Sequence, residues 1–321
     1  MILPDLTEIQ AELKSLDEIL LDALLSENPL LTVTSTHLVK AGGKRIRPAF
    51  ALLASKFGNC SKEELQPLMV ILEMIHLSSL IHDDVLDKVQ FRRGVPTVNA
   101  QWGEALAVIT GDYIFAKSMV IATIYKDKRI PNILINLSRE MIKGELYQHA
   151  NLFNINQSIR DYLYRIKRKT ALLISVSGQL GAMVANAPDW VVDSLKKYGY
   201  YLGMAFQITD DILDFTSEER ELGKTLGNDL KQGILNLPTL YALNSKPEGD
   251  RLKELILKRF NNFYDFEEAI KLIKSSDSFA KSSRLAESYV RKAKKWLTNL
   301  PPIPTKSLLF SLADLVISRK F

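Results

Sequence analysis

The spacing of hydrophobic and polar positions predicts a chain that is helical nearly throughout. Between positions 6 and 24, leucine and isoleucine recur at steps of three and four residues, the pattern of an amphipathic helix that Pro29 would end. Residues 61–64, Ser-Lys-Glu-Glu, form a capping box and predict the start of a long helix that runs to Asp87. Further helices are predicted over about 103–125, 133–149, 157–186 and 190–214, with no strand-like alternation of useful length. The pattern therefore predicts an all-α bundle, with residues 1–321 forming one domain around a deep cavity between helices.

Composition narrows the class of protein and of ligand. Hydrophobic residues make up 46% of the 321 positions and charged residues 25%, which is typical of a globular protein with a sizeable core. The net charge is only +5, and the cations lie near carboxylates rather than in a tail, which favours anionic small molecules over nucleic acid. The single cysteine, Cys60, excludes an intramolecular disulfide and fits a reducing cytoplasm. No signal-peptide pattern and no run of 18 apolar residues occur, so we expect a cytoplasmic protein without a membrane anchor.

Two aspartate motifs are the strongest chemical signal in the chain. Asp83-Asp84-Val85-Leu86-Asp87 follows an apolar run, and Asp210-Asp211-Ile212-Leu213-Asp214 follows another. Positions i and i+4 share a helix face, so the first and last aspartate of each motif lie on one side. One such motif is as readily a solvated helix end, but two copies after long apolar runs favour a site for Mg²⁺, which prefers hard oxygen ligands. The predicted metal ligands are Asp83, Asp84, Asp87, Asp210, Asp211 and Asp214.

Four cationic clusters accompany the aspartates. Residues 42–48, Gly-Gly-Lys-Arg-Ile-Arg-Pro, form a loop whose glycines let the backbone approach an anion that Lys44 and Arg47 can bind. Arg92-Arg93 lies just beyond the first motif, and arginine matches phosphate oxygens in bidentate geometry. In the basic run 165–170 most side chains are expected to be solvated, and Lys169 and Thr170 are the candidates for function. The fourth cluster is Lys224 with Lys231, in a polar segment after the second motif.

Carboxylates for Mg²⁺, cations for phosphate and an apolar pocket together favour one type of reaction. The metal and the cations hold a diphosphate and stabilise it as a leaving group, and the carbocation that remains needs a dry pocket. Gln207 lies one turn before the second motif, and it and Thr170 can present oxygen dipoles to that cation. The predicted catalytic residues are Asp83, Asp84, Lys169, Thr170 and Gln207.

The ordered motifs resemble the trans-isoprenyl diphosphate synthase (polyprenyl synthetase) family over nearly the whole chain. The resemblance rests on segments 42–48, 83–87, 92–97, 169–170, 178–182, 207–214 and 223–224. It implies an isoprenoid-synthase helical bundle and a prenyltransferase that condenses isopentenyl diphosphate onto an allylic diphosphate of farnesyl or geranyl type. Within the family, the run 165–174 and the ending Arg319-Lys320-Phe321 look most like the catalytic component of two-subunit heptaprenyl diphosphate synthases.

The resemblance also implies residue roles. It assigns three Mg²⁺ ions to the aspartates when substrate is bound. The allylic diphosphate falls to Arg92, Lys169 and Lys224, and the diphosphate of isopentenyl diphosphate to Lys44, Arg47, His76 and Arg93. From the residues alone, His76 reads as a core histidine. The family resemblance further implies a homodimer, or a heterodimer with a small non-catalytic component.

One position departs from the family pattern. Many members carry a lysine where this chain has Ile234, and the sequence leaves open whether Lys231 replaces it.

Ser78 and Ser79 carry the expectation for product length. They lie five and four positions before Asp83, on the helix along which the growing chain must pass. A Phe or Tyr there would block the tunnel near the farnesyl stage, whereas serine leaves it open. We therefore expect a product longer than farnesyl, with heptaprenyl diphosphate for a quinone side chain as the leading candidate.

Three alternative functions stay open from the sequence. A geranylgeranyl- or farnesyl-type short-chain synthase is disfavoured by the two serines. A class I terpene cyclase would not need a second diphosphate site. A non-catalytic partner subunit has no need of six aspartates.

Overall fold

The computed structural model describes residues 7–216, 226–246 and 248–318, and over these residues the protein is all-α apart from one short hairpin. In chain order the elements are α1 Thr7–Ala23, α2 Pro29–Lys40, α3 Ile46–Ser55, α4 Lys62–Leu86, β1 Phe91–Arg92, β2 Val95–Pro96, α5 Val98–Trp102, α6 Glu104–Ala122, α7 Arg129–Ala150, α8 Ile159–Ile166, a π-turn Lys167–Ala171, α9 Leu172–Val184, α10 Asp189–Thr216, α11 Asn228–Lys231, α12 Leu237–Leu243, α13 Glu248–Leu257, α14 Phe263–Ser275, α15 Ser278–Leu297 and α16 Pro304–Ser318. The all-α prediction is confirmed.

The described residues divide into two compact units. The first contains the chain up to Ser138 together with Val176–Lys196, and the second contains Arg139–Ser175 and the chain from Lys197 onward. Each aspartate motif belongs to a different unit, so each is described with the residues of its own unit. That residues 1–321 form one domain stays a prediction.

In the first unit, α4 is the central helix. It packs against α6, α3 and α1, and its apolar side chains, such as Ile71, Leu72 and Met74, are fully buried. The predicted capping box is confirmed: the Ser61 hydroxyl accepts from the Glu64 N–H, and the Glu64 carboxylate accepts from the Ser61 N–H. This cap fixes where α4 begins. The helix then delivers the first aspartate motif, which begins 21 residues after Lys62, at its carboxyl end.

In the second unit, the core is built around α8, α10 and the helices from α12 to α15. Tyr162 of α8 and Phe215 of α10 are the largest of its fully buried side chains apart from Tyr198. Tyr198 donates its hydroxyl to the Leu309 carbonyl at 2.7 Å, which ties α10 to α16. The second aspartate motif ends α10.

The structure corrects two local predictions. Pro29 does not end the first helix: α1 ends at Ala23, and Pro29 is the first residue of α2, where its missing N–H costs no hydrogen bond. Asn28 caps that helix by accepting from two backbone N–H groups. The helix predicted over 157–186 is interrupted by the π-turn Lys167–Ala171, which periodicity does not reveal. The hairpin was also missed, because two-residue strands carry no alternation.

Two helices, α4 and α6, are long and apolar enough to span a membrane by length and composition. Two-thirds of the most apolar window of α4 is buried inside the protein, as in the core helix of a globular fold, whereas a third of that of α6 is buried. Length and hydropathy of one or two helices are by themselves weak evidence for membrane insertion, because core helices of globular proteins share them.

Candidate active site

The first aspartate motif ends α4 with its three carboxylates in two environments. Asp83 and Asp87 are partly exposed on one face of the last turn, whereas the Asp84 side chain is only 1% exposed. Asp84 accepts three hydrogen bonds from Arg92, two from Nε at 2.8 and 2.9 Å and one from Nη2 at 2.6 Å. This bidentate pair holds the motif against the hairpin that follows it. Asp84 remains a predicted metal ligand, but here its carboxylate is held by the arginine.

The hairpin presents Arg92 and Arg93 in different directions. Phe91 pairs with Pro96 and Arg92 with Val95, and the turn between the strands has positive φ at Arg93 and Gly94. Consecutive left-handed residues give a turn whose twist matches that of the strands. The Arg93 guanidinium reaches the end of α2 and the loop after it, where it donates to the carbonyls of Leu38, at 3.0 Å, and Gly42.

A basic corner of the first unit gathers most of the residues predicted to bind isopentenyl diphosphate. Arg93 reaches the 42–48 loop, and Gly43 lies so close to the guanidiniums of Arg93 and Arg45 that an added Cβ would be 2.9 Å from each. The charges of Arg47 and Arg93 lower the pKa of His76. Lys44 is an exposed residue of the same loop. We call Lys44, Arg45, Arg47, His76 and Arg93 the basic corner.

The surroundings of His76 favour its neutral form. Burial of the imidazole, followed by the charges of Arg47 and Arg93, keeps the pKa of His76 well below its usual range. A neutral imidazole still has one N–H to donate, so it can contact an anion as a hydrogen-bond donor without adding charge. Two other histidines contact protein groups: His82 lies 3.3 Å from the Asp112 carboxylate, and His37 contacts the Pro96 carbonyl at 2.7 Å.

In the second unit, the second motif is supported by a chain of hydrogen bonds. Tyr162 donates its hydroxyl to Asp211 Oδ2 at 2.7 Å, and Gln207 Nε2 donates to Oδ1 at 2.8 Å. The Thr170 hydroxyl then donates to Gln207 Oε1 at 2.6 Å. The structure therefore brings together three predicted residues, Thr170, Gln207 and Asp211, and adds Tyr162, which no sequence signal indicated.

Asp211 differs from the other aspartates of its motif by its burial. Its residue is 4% exposed, whereas Asp210 is exposed and Asp214 partly so. Burial, followed by the charge of Asp229, raises the pKa of Asp211 to about 7, while the hydrogen bonds from Tyr162 and Gln207 act in the opposite direction. Asp211 remains a predicted metal ligand, with both oxygens engaged by this network.

The π-turn shapes the backbone that carries Lys169 and Thr170. Such single-turn bulges in α-helices are frequent at functional sites. Lys169 pairs with Glu145 of α7 at 2.8 Å, a carboxylate that the sequence analysis missed. Gly203 of α10 packs on the turn so closely that an added Cβ would lie 2.6 Å from the Ala171 Cα. The turn is thus fixed from two neighbouring helices.

Four further positions considered in the sequence analysis have distinct outcomes. Lys224 lies outside the described residues. Ile234 is 7% exposed and belongs to the hydrophobic interior, whereas Lys231 is exposed at the end of α11. The expectation that the 165–170 run is mostly solvated is wrong for Arg165, which is 4% exposed and donates to the Leu235 carbonyl at 3.0 Å.

The two serines proposed to govern product length face different surroundings. Ser78 is 4% exposed and donates to the Gly111 carbonyl of α6 at 2.9 Å, which marks a close approach of α4 and α6. Ser79 is partly buried and donates to the His76 carbonyl of its own helix at 2.8 Å. Enlarging Ser78 would therefore press on α6, whereas Ser79 has no such backbone partner on another helix within the described residues.

The aspartates fit Mg²⁺ only if water and substrate phosphate supply the rest of its ligands. Within the described residues, no three acidic, histidine or cysteine side chains are grouped closely enough to hold a metal ion by themselves. Mg²⁺ typically takes one or two protein carboxylates and completes its octahedron with water and substrate phosphate. Asp83 with Asp87, and Asp210 with Asp214, are pairs of this kind, one turn apart and at least partly exposed.

Comparison with known proteins identifies the family that the chain matches. The family model described as polyprenyl synthetase matches residues 28–273. Heptaprenyl diphosphate synthase component 2 of Bacillus subtilis is 43% identical over 296 residues, which cover 92% of this chain and 84% of that protein. The crystal structure of heptaprenyl diphosphate synthase from Staphylococcus aureus superposes with a TM-score of 0.92 at 38% identity, covering 97% and 98% of the two chains. A polyprenyl synthase from Caulobacter crescentus, solved with calcium and isoprenyl diphosphate, gives 0.91 at 32% identity, covering 97% and 96%.

Proposed function

The chain belongs to the polyprenyl synthetase family and is a prenyltransferase, and we propose that it makes a long-chain trans-polyprenyl diphosphate, heptaprenyl diphosphate being its product. The observation that carries the proposal is that α4 bears both a metal-type carboxylate pair and a member of the basic corner. His76 and Asp83 lie seven residues apart, hence on one helix face and about 10 Å apart along the axis. This spacing suits two diphosphates bound side by side.

Each group of residues has a role in the proposed reaction. Lys44, Arg47, His76 and Arg93 hold the diphosphate of isopentenyl diphosphate, and Arg92, Lys169 and Lys224 hold that of the allylic substrate. The allylic C–O bond breaks, and its electron pair leaves with the diphosphate. The isopentenyl double bond attacks the cation to form the new C–C bond, and a proton lost from the adjacent carbon passes to the released diphosphate.

The network of the second unit orients the oxygens that face the cation. Because Thr170 donates to Gln207 Oε1, and Gln207 Nε2 is committed to Asp211, the amide is fixed with its oxygen towards Thr170. Preorganised dipoles stabilise developing charge without reorganisation during the reaction.

Mg²⁺ ions, three in number when substrate is bound, would be held by the aspartates of both motifs and would neutralise the leaving diphosphate.

Turnover by the purified chain tests this function. We expect it to extend farnesyl diphosphate with labelled isopentenyl diphosphate and Mg²⁺, alone or with the small component of a heptaprenyl synthase, and chromatography of the dephosphorylated products gives their length. A cyclised hydrocarbon would favour a terpene cyclase, and geranylgeranyl products a short-chain synthase. No turnover under either condition would contradict the proposal.

Product length has its own test at Ser79. Ser79→Tyr introduces a bulky ring four residues before Asp83, and we expect the product distribution to shift to shorter chains. Ser79→Ala is the matched control, since it removes the hydroxyl but leaves the passage open. Ser78→Phe is expected to act in the same direction, although it must also displace α6 at Gly111. An unchanged distribution in Ser79→Tyr would contradict the assignment of the passage.

We also propose that the chain works as a dimer, either with itself or with a small non-catalytic component, in the cytoplasm. In support, α6 exposes Val108, Ile109 and Val120 at 41%, 54% and 67%. Several exposed aliphatic side chains on one helix are typical of a surface that another subunit covers. Light scattering of the purified chain, with and without the small component, distinguishes the two assemblies.

A further inference from the structure

The proposed role of the basic corner leaves Arg45 unexplained. It lies between the two loop cations, Lys44 and Arg47, yet its side chain is only 4% exposed. Its backbone is left-handed, with φ 46° and ψ 36°, at the residue that precedes α3. A bulky residue persists in this region only where the surrounding structure imposes it.

Two carboxylates impose this conformation. Arg45 Nε donates to Asp17 Oδ1 of α1 at 2.6 Å, and Nη1 donates to Glu73 Oε1 of α4 at 2.7 Å. Glu73 is 1% exposed, and its other oxygen has no hydrogen-bond partner among the described residues. The guanidinium therefore joins three elements of the first unit around a buried ion pair. Its charge is balanced by protein carboxylates, so Arg45 is not itself suited to receive a substrate anion.

The same ion pair lies next to groups that the proposed function assigns to substrate. Glu73 is one helical turn before His76 on α4. A Cβ added at Gly43 would lie 2.9 Å from Arg45 Nη1 and 2.9 Å from Arg93 Nη1, so the loop backbone packs against two guanidiniums that are each fixed by hydrogen bonds. A shift of Arg45 would therefore move the loop, and with it Lys44 and Arg47.

We propose that Arg45, held by Glu73 and Asp17, is a positioning residue that fixes the 42–48 loop in the conformation that binds the diphosphate of isopentenyl diphosphate. This inference rests on the proposed function of the basic corner. It predicts that the pair governs the affinity for one of the two substrates and leaves the chemical step and the allylic substrate unaffected.

Direct binding and steady-state kinetics test the proposal. Arg45→Lys replaces the planar fork by one ammonium, which cannot serve both carboxylates in the same geometry. We expect the Kd for isopentenyl diphosphate, by calorimetry with Mg²⁺, and its KM to rise about tenfold, the size of effect expected when one charge-assisted hydrogen bond is lost. The kcat and the KM for farnesyl diphosphate should not change. Lys56→Met is the matched control, because Lys56 pairs with Glu12 of α1 at the surface, at 3.4 Å.

A second variant separates positioning from stability. Arg45→Met combined with Glu73→Leu replaces the buried ion pair with apolar groups, an exchange that often retains or improves stability. We expect its melting temperature to match that of the wild-type protein while the Kd stays raised. A Kd that returns to the wild-type value together with the melting temperature would overturn the proposal, as would an unchanged Kd in Arg45→Lys.

The outcomes also distinguish this inference from the function on which it rests. If the wild-type protein neither binds nor consumes isopentenyl diphosphate, the proposed function and this inference both fail. If the wild-type protein turns over and the Arg45 variants match it in Kd, only the positioning role fails.

Discussion

The Asp84–Arg92 pair offers a quantitative test of how the first aspartate motif is held. The two partners differ in exposure: the Asp84 side chain is 1% exposed and the Arg92 side chain 26%. Arg92→Ala leaves a buried carboxylate without three hydrogen bonds, and we expect it to lower the free energy of unfolding by about 3–5 kcal/mol. Asp84→Ala leaves an arginine that can turn to water, and we expect a smaller loss of about 1–3 kcal/mol.

The double variant completes the cycle. It removes both charges, so no buried carboxylate is left without its arginine, and its cost should not exceed that of Arg92→Ala alone. Urea unfolding at pH 7, monitored by circular dichroism, gives the free energy of unfolding of all four proteins. The slope of that free energy against urea concentration should be the same for each. Arg129→Ala is the matched control, since Arg129 pairs with Asp127 on the surface.

Two results would refute this reasoning. Single costs that add in the double variant to within about 0.5 kcal/mol would show that the pair is not coupled. A larger loss for Asp84→Ala than for Arg92→Ala would show that the unequal burial of the two partners does not govern the cost.

Two further predictions concern packing and the single thiol. In Gly181→Ala the new Cβ would lie 2.2 Å from the Ala51 carbonyl oxygen, so α9 and α3 must separate. We therefore expect the free energy of unfolding to fall by about 1–3 kcal/mol in the same urea experiment. Val120→Ala, at an exposed position of α6, is the control, and equal urea midpoints for the two variants would contradict the close approach of α9 and α3. Burial raises the pKa of the Cys60 thiol, so its alkylation by iodoacetamide should reach half-maximal rate at a higher pH than that of a cysteine in the urea-unfolded chain, and coinciding pH profiles would contradict this.

Local chemistry made part of the site predictable. The aspartate motifs, the 42–48 loop and the arginine pair could be identified because each function needs particular residue types at short, regular spacing. The network around Asp211 could not, since Tyr162 lies 49 positions away in the chain and a buried tyrosine has the sequence pattern of an ordinary core residue. Glu145 was missed because a partly exposed acid on an amphipathic helix has the sequence pattern of an ordinary surface residue.

Burial was the property that sequence reasoning judged least well. Arg165 was expected among solvated cations, yet it is buried because the Leu235 carbonyl and the ring of Tyr162 surround it. Ser78 and Ser79 are equivalent in the sequence, but α6 approaches only the first closely enough for a hydrogen bond to its backbone.

The amino-acid sequence by itself determined the helical character, the starts of the capped helices and the inventory of carboxylates and cations, because these depend on residues within a few turns of each other. The tertiary structure decided which of those charged side chains are paired with other groups of the protein. Asp84 is engaged by Arg92, Asp211 by Tyr162 and Gln207, and Arg45 by two acids from other helices. The physical reason is that burial makes an unpaired charge costly, so each of these side chains is matched by a partner. For Asp211 and Arg45 the partners include Tyr162, Asp17 and Glu73, which lie far away in the chain and which only tertiary packing brings close.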